Sequence, residues 1–297
     1  MRVSNKMLYN SAVGNLQRNL ERLMDLQEEA SSGKRINNPA DDPIGVMKLI
    51  DYSTALSKTK QYQRNIDNGV AFLTTTESAI ATSEDILVRV KELSVTALNA
   101  GMSVEARASI AAEVEQLHDQ VLHMANTKYD NRYIFAGFNV NTAPYNNDGS
   151  YTGTDSPDGY VEIETGIGST AAINIPGYEV FGTPSYGIDI LGTLNDFKTA
   201  LENNDTQAIS DSMSDLDSAM NQLIDARSVV GARINSMDTA KTYLSKLELD
   251  ITGYKSEIED ADLAQVVTDL ATQENLLEIS KAAVSAVLKQ TLIDFLR

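Results

Sequence analysis

Apolar residues recur at every seventh position along a long segment in the second half of the chain. An α-helix has about 3.6 residues per turn, so a strict seven-residue repeat keeps one stripe facing a partner helix. Some 50 residues of this repeat make a helix roughly 75 Å long. The pattern predicts a coiled-coil seam, and a long core helix of an ordinary bundle is the alternative. The seam comprises Leu223, Val230, Met237, Leu244, Ile251 and Ile258, and Ile209 and Leu216 extend it upstream.

Both ends of the chain also carry apolar residues at helical spacing. Near the start, the spacing of three and four residues from Val13 predicts a first helix that stops near Gly33. A last helix has Leu270, Leu277 and Val284 on one side. A single helix cannot bury such a stripe, and isolated helices obtain most of their stability from packing. We therefore predict that the two terminal helices pair.

Capping residues mark the starts of two further helices. Asp42 can accept hydrogen bonds from free backbone N–H groups, and Pro43 suits the first helical position because that position needs no N–H. These residues predict a second helix from about Ile44 to the Asn99–Gly101 stop. A third helix is predicted with Ser103 as its cap.

The middle of the chain differs from both ends. The stretch from Gly137 to Gly192 holds 10 of the 17 Gly and 4 of the 6 Pro, so we expect no helix there. Tyr160–Thr165 and Ala171–Ile175 alternate polar and apolar residues and predict strands of β-hairpins.

The predicted fold class is mainly α. It is an elongated helical bundle or coiled coil made from paired N- and C-terminal segments, with a small inserted β-rich domain. Because helices flank the insertion on both sides, we expect that residues 140–190 can be deleted without unfolding the bundle. The predicted domains are a terminal coiled coil of residues 1–43 with 259–297, a helical bundle of residues 44–137 with 193–258, and the insertion of residues 138–192.

Charge and composition narrow the classes of function. A formal net charge of -18 opposes binding to nucleic acid or an anionic membrane surface, so neither is expected as a partner. The chain has no Cys, which excludes disulfides, thiol nucleophiles and cysteine zinc sites. The first nine residues lack the apolar core of a secretory signal, and no window of 18 apolar residues is present. Taken alone, these two facts predict a cytosolic protein.

Candidate residues for catalysis or metal binding are few. The only histidines, His118 and His123, are five positions apart on a predicted helix and point in different directions. Ser32-Gly33-Lys34 is followed by Arg35, where a phosphate-binding loop needs Ser or Thr. We therefore predict no catalytic residue, no metal site and no cofactor, and we do not expect an enzyme.

Several motifs resemble the bacterial flagellin superfamily. Residues 32–37 (SGKRIN) with 40–43 (ADDP), residues 64–69 (RNIDNG) and residues 258–262 (IEDAD) are similar to flagellin motifs in the same order. The resemblance covers roughly residues 1–137 and 193–297. Within the superfamily, Met1–Ser4 and residues 131–138 (NRYIFAGF) are similar to the proteins at the junction between hook and filament.

The resemblance implies a structural role outside the cell. Proteins of this type have paired terminal helices inside the flagellar tube and are exported unfolded through the flagellar type III channel without a cleaved signal. The implied partners are hook-associated protein 1, flagellin, further copies of the chain in a ring, and a flagellar export chaperone. The alternatives that stay open are a minor flagellin and, more remotely, an unrelated coiled-coil adhesion or signalling protein.

The mechanism that the resemblance implies is assembly through the terminal stripes. Each fully buried aliphatic side chain contributes about 2 kcal/mol, so several together can drive association. Residues 1–36 carry six basic and four acidic groups and residues 193–297 carry nine and eighteen, which favours pairing of the two ends. The predicted assembly interface comprises Val13, Leu16, Leu20, Leu23, Leu270, Leu277, Val284, Leu288, Phe295 and Leu296.

Overall fold

The computed structural model describes residues 2–99, 101–152 and 159–295. The side chains described are those of residues 7, 9–99, 101–152 and 159–286. In chain order the helices are α1 (Arg2–Ser32), α2 (Pro43–Ala97), α3 (Val104–Ala125), α4 (Gly177–Val180), α5 (Ile190–Glu202), α6 (Thr206–Glu259) and α7 (Leu263–Phe295). The strands are β1 (Lys128–Tyr129), β2 (Arg132–Tyr133), β3 (Glu162–Gly166) and β4 (Ser169–Ala172). The predicted mainly α fold with a small β-containing insertion is confirmed.

Two compact units divide the chain. One unit combines residues 1–58 with 247–297, and the other consists of residues 59–246. The long helices α2 and α6 each contribute to both units. The three-domain division drawn from the sequence, with limits at 43/44, 137/138, 192/193 and 258/259, stays a prediction.

In the unit of residues 59–246, α2 and α6 run antiparallel. Arg227 of α6 bonds Glu77 and Glu84 of α2, at 2.7 and 3.1 Å. Toward the other end of the unit, the amine of Lys241 lies 2.6 Å from a carboxylate oxygen of Asp67. The partner positions fall along α2 as they rise along α6, which fixes the antiparallel direction.

Large and small side chains alternate along the buried face of α2. Ile80 and Leu87 are fully buried, and between them Ser83 is also fully buried. The Ser83 hydroxyl donates to the Ala79 carbonyl of its own helix at 2.9 Å, so the small polar residue leaves no unpaired group. On α6, the predicted seam residues Leu223, Val230, Met237 and Leu244 are buried. In the other unit Ile251 is buried and Ile258 is half-buried.

Local signals at helix ends behave as the sequence predicts. The Gly45 N–H donates to Oδ1 of Asp42 at 2.9 Å, and Pro43 is the first residue of α2. The Ala106 N–H donates to the Ser103 hydroxyl at 3.2 Å, which caps α3. The first helix, however, begins at Arg2 rather than near Val13, because residues 2–12 contain no Gly or Pro that would end it.

The insertion contains less β-structure than predicted. β3 and β4 form an antiparallel pair with an irregularity between Glu164 and Gly166, and β1 pairs with β2. The second predicted strand is displaced, since β4 ends at Ala172 instead of extending to Ile175. The expectation that this stretch holds no helix is wrong, because α4 makes one turn there and α5 already begins at Ile190.

The insertion packs into the same hydrophobic core as the helices. Phe181 is fully buried with its ring edge-on to Phe135, at 5.1 Å between centroids. Gln222 of α6 donates to the carbonyls of Val180 and Ile188, both at 3.1 Å. These contacts argue against the expectation that residues 140–190 are dispensable for the bundle, which deletion of the segment would test.

Candidate assembly surface on the terminal helices

The two turns that follow α1 and precede α7 pair with each other. Gly33 ends α1 with a φ of 70°, a conformation that glycine adopts without strain. The next residue, Lys34, forms an antiparallel bridge with Asp260. The Arg35 N–H donates to the Glu259 carbonyl at 2.7 Å, and the Ala261 N–H donates to the Gly33 carbonyl at 2.9 Å. We call this pairing of residues 33–35 with 259–261 the clasp.

Side chains reinforce the clasp. The Lys34 amine lies 2.5 Å from Oε1 of Glu259, and the Arg35 guanidinium donates to the Ile258 carbonyl at 2.8 Å. The hydrogen bond from Lys34 lowers the pKa of Glu259, and the same bond raises the pKa of Lys34. The motif that resembles flagellin at residues 32–37 is therefore part of the clasp, and its Lys34 forms an ion pair with the Glu259 carboxylate.

The acidic residues near the clasp act as backbone acceptors. Oδ2 of Asp41 accepts from the N–H groups of Asn37 and Asn38, at 3.1 and 2.7 Å. Asp262 accepts from the N–H groups of Ala264 and Gln265 at the start of α7, at 3.0 and 3.3 Å. Asp262 thus caps α7, whereas Asp41 holds the turn before α2, and the predicted cap of α2 is Asp42.

Beyond the clasp, α1 and α7 pack against each other as an antiparallel pair, which we call the terminal pair. The end of α1 adjoins the start of α7 at the clasp, and contacts continue along both helices. Five predicted interface residues face inward in this pair. Leu277 is buried, and Leu16, Leu23, Leu270 and Val284 are half-buried.

Three polar residues interrupt the inner stripe of the terminal pair, and the sequence reasoning missed them. The Asn19 amide donates to the Ser280 hydroxyl at 2.7 Å. The Gln273 amide donates to the Asn19 carbonyl at 3.0 Å, and only 5% of Gln273 is exposed. We call Asn19, Gln273 and Ser280 the polar layer. Their positions continue the three-and-four spacing of the apolar residues, which is the signal that could have identified them.

Other apolar residues of the terminal pair point outward. On α1, Leu20 and Met24 are one helical turn apart, with 47% and 60% exposed, while Val13 is half-buried. Among the described side chains of α7, the exposed large apolar residues are Leu263, Val267, Leu276 and Ile279. Of these outer apolar residues only Leu20 was predicted. The predicted residues Leu288, Phe295 and Leu296 lie outside the described side chains.

Within the described residues, no group of three His, Asp or Glu side chains is placed to hold a metal ion. None of the described helices combines the length and apolar character that crossing a membrane requires. The candidate functional feature of the unit of residues 1–58 with 247–297 is the terminal pair, which leaves apolar side chains on its outside.

Comparison with known families assigns a class to this architecture. Residues 3–140 match the bacterial flagellin N-terminal helical region, and residues 213–296 match the bacterial flagellin C-terminal helical region. The two matches together span most of the chain and contain both members of the terminal pair. The chain belongs to the bacterial flagellin family and is a component of the bacterial flagellum.

Individual relatives show which members of the family this chain resembles. The flagellar hook-associated protein 3 of Escherichia coli is 27% identical over 303 residues, covering 95% of this chain and 96% of its own length. The crystal structure of Bacillus cereus FlgL is 27% identical with a TM-score of 0.61, covering 69% of this chain and 99% of that chain. A flagellin of Bacillus subtilis is 26% identical and covers 98% of this chain and 97% of its own length.

Proposed function

We propose that this chain is a structural protein of the junction between the flagellar hook and the filament. It polymerises through its terminal helices and adapts hook-associated protein 1 on one side to flagellin on the other. It acts outside the cell, reaches that place through the flagellar type III channel, and is held by an export chaperone beforehand. It is not an enzyme. The similarity to hook-associated protein 3 over nearly the whole chain supports this assignment.

The outer apolar residues of the terminal pair carry the proposal. An amphipathic helix pair in isolation buries its apolar stripe and leaves polar residues outside, whereas eight large apolar side chains are exposed among the described residues of α1 and α7. Scattered apolar residues occur on any surface, but Leu20 and Met24 adjoin each other on one helix. Burial against neighbouring copies would contribute on the order of 2 kcal/mol per side chain.

The inner residues play a different part in this proposal. Leu16, Leu23, Leu270, Leu277 and Val284 hold the terminal pair together, while the exposed Leu20 contacts neighbouring subunits together with Met24. Val13, which is half-buried, contributes to both sets in this proposal. The assembly surface is then the outside of a preformed pair. Leu288, Phe295 and Leu296 complete the surface in the proposal as the sequence predicts.

Replacing Leu20 with Asp tests the assembly surface. The side chain is exposed in the free chain, so the melting temperature should stay within a few degrees of the native value. Assembly should fail, because a charge would be buried without a partner. Cells carrying Leu20→Asp should keep their hooks, secrete the variant normally and release flagellin into the medium.

Asn15→Asp is the matched control, because it adds the same charge to an exposed position on the polar side of α1. It should leave filaments intact. Normal filaments on cells that carry Leu20→Asp would contradict the assignment of this surface to assembly.

A minor flagellin is the second candidate, favoured by the similarity to the Bacillus subtilis flagellin over almost the entire chain. Electron microscopy of the purified protein distinguishes the two. A junction protein should form no long filaments by itself and should associate with hook ends, whereas a flagellin should extend into long filaments.

A further inference from the structure

The polar layer lies well away from the clasp along the terminal pair. Asn19 precedes Lys34 of the clasp by fifteen residues, which corresponds to roughly 22 Å of helix. Stability does not account for the layer, since leucines at these positions would bury more apolar area than amides do. A buried polar residue at an inner coiled-coil position is a known means of fixing register at a cost in stability.

We propose that the polar layer is a register lock that acts independently of the clasp. The Asn19 side chain and carbonyl bond both Ser280 and Gln273, one on each side along α7. A slip by one heptad in one direction would replace Ser280 with Val266 as the neighbour of Asn19. A slip in the other direction would replace Gln273 with position 287, which is also a valine in the sequence.

Each one-heptad slip therefore leaves one member of the polar layer, Ser280 in the first direction and Gln273 in the second, without its polar partner across the pair. Such an unpaired group typically shifts an equilibrium about tenfold or more. The apolar positions alone discriminate poorly, because a helix moved by seven residues again presents aliphatic residues to aliphatic residues. The three polar side chains thus supply the discrimination that the stripe lacks.

The register matters for the outside of the pair as well. A slip of seven residues would displace Leu20 and Met24 relative to Leu276 and Ile279 by roughly 10 Å. A neighbouring subunit that contacts both helices would then meet a different surface. The polar layer thus fixes the position of the outer residues of α1 relative to those of α7. This role in the free chain does not depend on the proposed function.

Disulfide cross-linking can measure the register directly, because the chain contains no cysteine. In the observed register Ala12 faces Val284. Ala12 lies seven residues before Asn19, Val284 lies four residues after Ser280, and the two helices are antiparallel, so both positions are on the side of the polar layer away from the clasp. Cα atoms of facing positions in a helix pair are close enough for a disulfide, and a slip of 10 Å prevents one. The native-register reporter is Ala12→Cys with Val284→Cys, and the two slip reporters are Ala12→Cys with Leu277→Cys and Leu26→Cys with Leu277→Cys.

Each reporter is placed in four full-length backgrounds. These are the native chain, a clasp variant (Lys34→Ala with Arg35→Ala), a layer variant (Asn19→Leu with Gln273→Leu), and the combination of both. Leu23→Met, which changes a neighbouring inner residue without touching an amide, is the matched control and should leave the cross-linking pattern unchanged. Circular dichroism should show that the layer variant melts at or above the native temperature.

The native chain and both partial variants should form the native-register cross-link, since one lock remains in each. The combined variant should form slipped cross-links at least tenfold faster than either partial variant. Retention of the native register in the combined variant would overturn the proposal. Slippage in the clasp variant to the same extent as in the combined variant, or loss of all three cross-links in the combined variant, would also overturn it.

Discussion

Lys34 and Glu259 show how a few residues can join distant parts of a chain. They are 225 positions apart in sequence, yet their side chains meet at 2.5 Å beside a backbone bridge. The carboxylate is 15% exposed and the amine 48%, so solvent screens the attraction and the backbone bonds carry much of the joint. The ion pair then adds a dependence on pH that the backbone lacks.

We predict that the contribution of Glu259 to stability disappears in acid. Its pKa is lowered in the folded chain by the hydrogen bond from Lys34, relative to an ordinary value of 4.5. The unfolded chain takes up the proton first, so the contribution is present above about pH 4.5 and is lost as the pH falls through the lowered value. The native chain should therefore exceed Glu259→Gln in unfolding free energy at pH 7, and this difference should shrink below pH 4.5.

Chemical denaturation at a series of pH values measures that difference. Glu257→Gln is the control, since Glu257 is an exposed acid on the same helix. A difference between native and Glu259→Gln that is the same at pH 7 and pH 3 would argue against the ion pair as its source.

At the residue scale, rules that act over one turn of chain were readable from the sequence. Asp42 and Ser103 cap their helices because the cap needs only a side-chain oxygen and the next backbone N–H groups. Asn19 and Gln273 were missed for the opposite reason. An amide is usually at the surface, and only the position of a partner 254 residues away makes it part of a core.

At the scale of elements, the pairing of α2 with α6 depends on the size of the inner side chains. Ser83 is fully buried and its hydroxyl is already paired with the Ala79 carbonyl. Between Ile80 and Leu87 a small residue gives the facing helix room to approach. Protein interiors are packed tightly enough that added methylene groups there must displace neighbours.

We predict that Ser83→Ile destabilises the chain by about 1–3 kcal/mol through overpacking. Ser83→Ala is the matched control and should cost less than about 1 kcal/mol, because it removes a hydrogen bond to a carbonyl that the helix also uses. Urea denaturation of the two variants gives the comparison. Equal stability of Ser83→Ile and Ser83→Ala would show that the helices can separate locally without cost.

The long helices were the most predictable elements. A seven-residue repeat over many turns allows only a long helix with a partner. Gly33 marks the end of α1, and Pro43 marks the start of α2. The strands were less predictable, since short alternating runs in a Gly-rich stretch indicate extended chain without fixing which residues pair. In the structure the last paired residues are Glu162 of β3 and Ala172 of β4.

At the scale of the whole molecule, the insertion and the helices share one core. Tyr145, Ile175, Val180 and Phe181 of the insertion are buried in the same cluster as residues of α2, α3, α5 and α6. The Arg233 guanidinium of α6 also donates to the Asn174 carbonyl at 2.6 Å. No pattern in the sequence indicated this, because an apolar residue in a loop does not reveal which surface it covers.

We predict that replacing residues 140–190 with a short Gly/Ser link abolishes cooperative folding at room temperature. Loss of one large core side chain costs about 2–5 kcal/mol, so four such losses cost about 8–20 kcal/mol, which is as large as the usual stability of about 5–15 kcal/mol of a domain. Circular dichroism during heating measures the effect. Ile167→Ser is the control, because this side chain is 89% exposed at the end of the β3–β4 hairpin.

A cooperative melt of the shortened chain within a few degrees of the native temperature would contradict this prediction. It would mean that the helices repack over the space that the insertion fills.

The distance in sequence between the two sides of the clasp sets an order of events during synthesis. The α1 segment and the adjoining Lys34 leave the ribosome early, and Glu259, the partner of Lys34, follows 225 residues later. At roughly 5–20 residues per second, α1 waits for ten seconds or more with its apolar stripe uncovered. Closing so long a loop is slow compared with local helix pairing. The nascent chain therefore passes through a period in which α1 lacks its partner helix α7 and is open to capture by other molecules.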